Sequence, residues 1–393
     1  MLSVGHTSAN CPNYGERVSI IVPTFNRAHY IEECLQSLLT QSVPPHEIIV
    51  VDDGSEDDTR RVLSEYCTRI RWLQKENGGK PSAINLALPA VKGDLVWVFD
   101  DDDVALPKSI EVRIATLRKH PQAGFVYSPH YMGFDGLNGR IACESLHATP
   151  AYTNSQFFHE ILKECFFHLG STLVRSHVFR EVGSFDCNLK TSEDYDFQIR
   201  LARHASAAFC QDPTFIFRQH SGTRGPKSFR YSSTIRTTVF GAQNRLIGEK
   251  LRKELQLGDY LVPRDSFCEG SQRRRKALFA RMLVMASKGC IYEMLDDLVV
   301  ALRTTDQRHG LQREECQGIC DSVCTGLAYP AIKEDISGFR ERVCALRNLP
   351  NGRNAIRCLS YGLIRRARWG PCALDDIGIL LSTAGLLAFW SVT

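Results

Sequence analysis

Along the first part of the chain, short apolar runs alternate with segments whose apolar positions fall three and four residues apart. Val18-Ser19-Ile20-Ile21-Val22, Glu47-Ile48-Ile49-Val50-Val51, Ile70 to Leu73 and Leu95-Val96-Trp97-Val98-Phe99 read as strands. Between them, Tyr30, Ile31, Leu35, Leu38 and Leu39 mark one helix, Asp58-Thr59 opens a second, and Pro81 to Leu88 forms a third. This alternation over roughly the first 110 residues predicts a mainly parallel sheet with helices on both faces. Ligands of such sheets collect at the carboxyl ends of the strands. Polar, glycine or acidic residues stand at three of those ends: Thr24 to Arg27, Asp52 to Ser55, and Asp100 to Asp103.

Further along, a strand beginning at Phe125 leads into a Gly/Asn-rich turn by Arg140, and the stretch to Ser155 shows no period. It is assigned to an irregular acceptor-side loop. Gly170 to Arg175 is strand-like, and Thr214 to Arg218 is a last short strand before Gln219-His220-Ser221-Gly222. Between them, Thr191 or Ser192 can cap a helix whose apolar positions Phe197 and Leu201 are one turn apart. Glu193 and Asp194 then lie in its first turn, where the helix dipole favours ionised carboxylates. From Pro226 the period becomes helical throughout, as in Arg273 to Arg303 and Leu311 to Leu327.

The organisation predicted is a flexible tail over 1–16, an α/β domain over 17–225 and an all-α domain over 226–393. The last apolar run, Ile377 to Val392, carries no charge and follows Arg365, Arg366 and Arg368 beside Trp369. At about sixteen residues it is at the short edge of a membrane span. Two readings stand: a buried terminal helix, or reversible contact with an anionic membrane surface.

A length of 393 residues with 43% apolar content leaves room for about two globular domains. The net charge of +4 falls short of a dedicated nucleic-acid binder, so no nucleic-acid partner is expected, whereas anionic small ligands fit. Fifteen cysteines are scattered without a C-x-x-C pair, and the N-terminus lacks the apolar run of a secretory leader. They read as reduced thiols of a cytoplasmic protein, peripheral on the inner face of the membrane if the terminal run makes contact. Cys316, Cys320 and Cys324 recur every fourth residue and predict a packing seam on one helix face.

Four consecutive carboxylates, Asp100 to Asp103, directly follow the apolar strand Leu95 to Phe99. They repel one another and resist burial, so they form either a solvated turn or the oxygen ligands of a hard divalent cation. Lys80 and Arg27, on loops at the same sheet edge, are either solvated or available for charge-assisted contacts to phosphate.

Val18 to Asn26 with its Pro23-Thr24-Phe25 end, Val50-Val51-Asp52-Asp53-Gly54-Ser55, Phe99 to Asp103 with Pro107, Gly183-Ser184-Phe185-Asp186 and Glu193-Asp194-Tyr195-Asp196 together resemble the family 2 glycosyltransferases of GT-A fold. The resemblance covers roughly residues 17 to 225, with the motifs in family order. It implies a Rossmann-like mixed sheet, a nucleotide-diphosphate sugar donor with UDP-sugars foremost, Mn2+ or Mg2+ as cofactor, and inversion at the anomeric carbon. The acceptor implied is a hydroxyl of a carbohydrate or lipid-linked acceptor, as in glycan, polysaccharide or glycolipid biosynthesis.

Carried over by position, Pro23, Thr24 and Phe25 would wrap the nucleoside, Asn26 and Arg27 would complete that donor loop, and Asp53 would accept a hydrogen bond from the base. Asp100 to Asp102 would form the Asp-x-Asp region, with Asp101 near the ribose and Asp102 on the metal. His220 would stand by the diphosphate and its metal, and Asp194 would be the catalytic base. The chain has no Gln-x-x-Arg-Trp after the Glu-Asp pair and no set of long apolar spans, which favours single addition over processive synthesis. A donor-binding protein of the same fold without transfer is the alternative. A nucleotidyltransferase ranks last, because the loop after the first strand is Pro-Thr-Phe-Asn-Arg where a Gly-rich basic loop would be needed.

Overall fold

A computed structural model describes residues 15–136, 139–220, 222–223, 225–232, 235–262, 270–304, 310–324 and 327–369. The chain divides into two compact units, one of residues up to Phe157 with Cys165–Thr234, the other of Phe158–Glu164 with the chain from Ile235 onward.

In the first unit, β1 (Val18–Thr24), β2 (Glu47–Asp52), β3 (Arg71–Gln74) and β4 (Leu95–Val98) pair in parallel, in the order β3-β2-β1-β4. The connections carry α1 (Ile31–Leu39), α2 (Thr59–Ser64) and α3 (Lys80–Ala87). Every residue of β1 is buried, as expected of a central parallel strand covered on both faces. Register then sets where the polar ends fall. Thr24 lies level with Asp52, and Phe99 N donates to Ile21 O at 2.9 Å, so the loops after β1, β2 and β4 emerge along one edge.

After β4 come β5 (Val104–Ala105), α4 (Ser109–Lys119), β6 (Phe125–Tyr127), β7 (His130–Asp135), β8 (Ile141–His147) and α5 (Asn154–Lys163). Then follow β9 (Leu173–Arg175), α6 (Ser176–Val182), α7 (Glu193–His204), β10 (Ala207–Phe209) and β11 (Phe215–Gln219). The large sheet has seven strands, β10-β6-β9-β4-β1-β2-β3, and β9 runs antiparallel to both β4 and β6. Beneath it, Trp97 Nε1 donates to Gly170 O at 2.7 Å and its ring stacks 3.8 Å from the Arg113 guanidinium. A second sheet, β5-β11-β7-β8, sets β11 parallel to β7 and antiparallel to β5.

Two local expectations are corrected. Residues 141–147 form β8, paired antiparallel to β7, instead of continuing an irregular loop. Most of β8 is exposed, so its sequence carries no alternation, and the ladder to β7 makes it a strand. At the start of α7, Ser192 sits in the left-handed region at φ 62° and makes no side-chain capping bond. Glu193 and Asp194 do fall in the first helical turn.

The second unit is helical: α8 (Arg236–Glu254), α9 (Gly270–Ser287), α10 (Ile291–Arg303), α11 (Arg313–Cys324), α12 (Ala328–Glu334), α13 (Ile336–Ala345) and α14 (Gly352–Trp369). The continuous period from Arg273 to Arg303 is in fact two helices, broken by Gly289 at φ +75°. Asp297, 1% exposed, accepts from Arg252 at 2.8 Å and from Arg281 at 2.9 and 2.7 Å, tying α8, α9 and α10 together. The cysteine face of α11 packs on α14, where Cys320 Sγ donates to Cys358 O at 3.1 Å and Cys324 Sγ to Gly362 O at 2.9 Å. Among the described residues no helix is long and apolar enough to cross a membrane. The apolar run 377–392 and residues 1–14 of the tail lie outside the described residues.

Candidate active site

The acidic run turns sharply after β4, and its carboxylates are held from different directions. Asp100 Oδ1 takes the Lys80 ammonium at 2.6 Å, Asp102 Oδ2 meets His220 Nε2 at 2.9 Å, and Asp103 Oδ1 accepts from Arg218 N at 2.9 Å. Asp101, Asp102 and Asp103 are 8, 8 and 2% exposed, which rules out the solvated-turn reading. Burial pushes the Asp101 carboxyl up to about 7, against the opposing pull of Arg27 and with Asp102 adding to it. Burial also raises Asp103 well above the usual carboxylate range, reinforced by Asp102 and Asp100.

Ligating oxygens of Asp100, Asp102 and Asp103 lie within 4.8 Å of one another. Hard oxygen donors this close, with more negative charge than their neighbours neutralise, fit a divalent cation such as Mn2+ or Mg2+. His220 stands beside this cluster, its Nε2 at Asp102 Oδ2 and its Nδ1 accepting from Gly222 N at 3.1 Å.

Lys80 also approaches Glu193 Oε1, at 3.8 Å, and so spans the gap between the acidic loop and the start of α7. Burial disfavours its charge, but Asp100, Glu193 and Asp194 outweigh burial and its pKa rises. The Glu193 carboxyl is driven up to about 7 by burial, then by Asp194, with Lys80 opposing. Asp194 is half-buried, and its Oδ1 accepts from Tyr195 N at 2.8 Å. Lys80 therefore stands between the carboxylates of Asp100 and Glu193, and the charge of Asp194 also acts on it.

On the other side, the loop after β1 is held by hydrogen bonds. Asn26 adopts φ 54°, its amide N donates to Ser55 Oγ at 2.9 Å, and its Oδ1 accepts from Glu56 N at 2.8 Å. Arg27 Nε lies 3.7 Å from Asp101 Oδ1, and Arg230 faces the Phe25 ring at 5.4 Å. Pro23 and Thr24 are buried at the end of β1, with Thr24 O accepting from Asp53 N at 2.9 Å.

Asp53 is the loop's anchor. Its carboxylate accepts from Lys75 Nζ at 2.7 Å, Asn77 Nδ2 at 3.0 Å, Gly78 N at 3.0 Å and Gly79 N at 2.7 Å. Those four bonds match the acceptor capacity of a carboxylate. Asn77 Oδ1 in turn accepts from Lys227 N at 2.7 Å, so the chain near 227 is tied to the same loop. An open depression of about 960 Å³ adjoins it, lined among others by Ser55, Arg60, Lys75, Asn77 and Lys227. None of Asp100 to Asp103 or Asp194 lines that space.

Several residues at this edge carry no sequence signal: Arg218 with Glu33, Asp135 and Tyr30, and His168. Burial lowers the His168 pKa, while the charges of Asp194 and Asp100 oppose the shift. Its ring lies 4.6 Å from that of His130 and 4.4 Å from that of Phe217. These contacts join residues from separate strands and helices, which no local pattern encodes.

Residues 19–183 match the family described as Glycosyl transferase family 2. An uncharacterized glycosyltransferase of Rickettsia prowazekii is 32% identical over 213 residues, covering 53% of this chain and 65% of that protein. The chondroitin synthase of Escherichia coli is 27% identical over 188 residues, covering 47% of this chain and 26% of that one. The chain thus spans less than two thirds of the length of either relative. Residues 1–349 of S. aureus TarS, solved in complex with UDP-GlcNAc, superpose with a TM-score of 0.51 at 19% identity, covering 83% of this chain and 90% of that one. That likeness is one of fold.

Proposed function

We propose that this chain, whose residues 19–183 match the family described as Glycosyl transferase family 2, is a member of that family that transfers a single sugar, with inversion, from a nucleotide-diphosphate donor to an acceptor hydroxyl. The observation that carries this reading is the Lys80 bridge, 2.6 Å from Asp100 and 3.8 Å from Glu193, which sets the start of α7 beside the acidic loop. A base and a cation site at one sheet edge are what displacement of a diphosphate requires.

In the proposed reaction the acceptor oxygen attacks the anomeric carbon from the face opposite the diphosphate. The new glycosidic bond forms as the bond from that carbon to the phosphate oxygen breaks. The acceptor proton goes to the Asp194 carboxylate as the new bond forms, because the hydroxyl becomes strongly acidic only then. Mn2+ or Mg2+ held by Asp102 with Asp100 and Asp103, and His220 beside it, would supply Lewis-acid stabilisation of the departing diphosphate.

Phe25 and the loop anchored by Asp53 border the nucleoside, and Arg27 with Asp101 faces the ribose and phosphate side. Lys80 keeps Glu193 and Asp100 in register, so that Asp194 is aimed from a fixed helix start. UDP-sugars are the first donors to test, with a carbohydrate or lipid-linked hydroxyl as acceptor. We also propose that residues 17–225 act as the catalytic domain and the helices after 226 as a separate domain.

The test is release of nucleoside diphosphate from a panel of UDP- and GDP-sugars with Mn2+ or Mg2+, using wild type, Asp102→Ala and Asp194→Asn. Both variants should lose at least about a hundredfold in kcat, the scale of removing a positioned base or charge stabiliser. Full activity in either variant would refute the assigned role. Metal-dependent nucleotide binding without turnover on any acceptor would favour the donor-binding alternative.

A further inference from the structure

β11 delivers Arg218 beneath the acidic loop with only 1% of its surface exposed. It holds that loop at two points: its backbone N donates to Asp103 Oδ1 at 2.9 Å, and its Nε to Asp102 O at 2.7 Å. The two terminal nitrogens donate to Asp135 Oδ1 at the end of β7 and to Glu33 Oε2 on α1, each at 2.5 Å. The guanidinium also lies 4.5 Å from the centre of the Tyr30 ring, whose hydroxyl donates to Asp135 Oδ2 at 3.0 Å. Every nitrogen of the side chain is thereby committed, and the planar fork joins three separate elements to the acidic loop.

Charge separates two explanations of this cage. Burial disfavours the guanidinium charge, but the bonds to Asp135 and Glu33 outweigh it. One cation against two carboxylates leaves no positive charge to spare for Asp102 and Asp103. The contribution of Arg218 to the loop is therefore geometric: it fixes the Asp102 carbonyl and one oxygen of Asp103, which sets where the remaining carboxylate oxygens point.

We propose that Arg218 is a positioning residue that holds Asp102 and Asp103 in the arrangement that accepts a divalent cation. The proposal rests on the reading of Asp100, Asp102 and Asp103 as the cation site. Lysine cannot replace it, because a single ammonium keeps the charge but cannot reach three acceptors in one plane. Outer-shell partners of metal ligands typically control affinity by about 10- to 100-fold.

The experiment is Mn2+ binding to the full chain by electron paramagnetic resonance, without donor or acceptor, on wild type, Arg218→Lys, Asp135→Asn and Asp102→Ala, with circular dichroism as the folding check. Arg218→Lys should weaken the Mn2+ Kd by about tenfold or more, and its transferase activity should recover as Mn2+ is raised while its circular dichroism stays that of wild type throughout, which separates lost affinity from lost folding. Asp135→Asn keeps Arg218 and removes one anchor at a side chain that is 41% exposed, so it should weaken Mn2+ binding by a smaller factor. A folded Arg218→Lys with wild-type Mn2+ affinity overturns the proposal. If Arg218→Lys does not fold, unchanged affinity in Asp135→Asn overturns it. Mn2+ binding that survives Asp102→Ala refutes the cation site itself, and the positioning role with it.

Discussion

Replacing Asp53 by asparagine separates two roles for the residue: contact with the nucleobase and anchoring of the loop. The carboxylate is 3% exposed and accepts two backbone N–H bonds, from Gly78 and Gly79, along with Lys75 and Asn77. Asp53→Asn keeps one oxygen and sets an amide NH2 against two of these donors, of which Lys75 Nζ retains Glu76 O and Asn77 Nδ2 retains the Asp53 carbonyl. Two of the four bonds are lost, and hydrogen bonds to a charged group contribute about 1.5–3 kcal/mol each. A loss of about 3 kcal/mol or more in stability follows, the lower end being apt because Lys75 is partly solvated. For a unit of this size that corresponds to a fall of about 6–12 °C in Tm.

Thermal melts followed by circular dichroism, paired with calorimetry of nucleoside diphosphate binding, give both readouts. Loop anchoring predicts that stability and binding fall together in Asp53→Asn. If the variant melts like wild type and loses nucleotide binding alone, the carboxylate acts directly on the base and the anchoring argument is wrong.

Glu193 gives a pH signature. Its folded pKa of about 7 exceeds the ordinary value of 4.5, so between those pH values the native state holds a proton that the unfolded chain has released, and stability falls as pH rises through that window. Relative to wild type, Glu193→Gln should therefore gain stability on going from pH 5 to pH 8 in denaturant melts; a pH-independent difference would contradict the burial argument. In the helical unit, a Cβ at Gly362 would sit 2.3 Å from Cys320 O and 2.6 Å from Val323 Cγ2. Gly362→Ala should destabilise by roughly 1–2 kcal/mol in urea despite the better helix propensity of alanine, because overpacking against backbone outweighs it. A stabilised variant would show that α11 and α14 are not in contact there.

The strands β1, β2 and β4 were legible because both faces of a central parallel strand are buried, which leaves continuous apolar runs that need no knowledge of the partner strand. The polar ends of those runs, the four aspartates and the Glu193-Asp194 pair were legible for the same reason: each is a local departure from an otherwise apolar or helical period. The helical character of the part after Pro226 was also evident, though not the break that Gly289 makes between α9 and α10.

Other features required the tertiary structure. β8 is exposed over most of its length and is a strand only because β7 supplies the ladder. β9 joins the sheet antiparallel between β4 and β6, a placement that its three residues do not encode. Lys80 reads from sequence as either a solvated side chain or a phosphate contact, and only folding pairs it with Asp100 and Glu193. Arg218 and Glu33 are 185 residues apart, and neither stands in a motif. Hydrophobic period is a property of neighbouring residues and survives in one dimension; the pairing of buried charges depends on which side chains the packed backbone brings within 3 Å, and only the folded chain decides that.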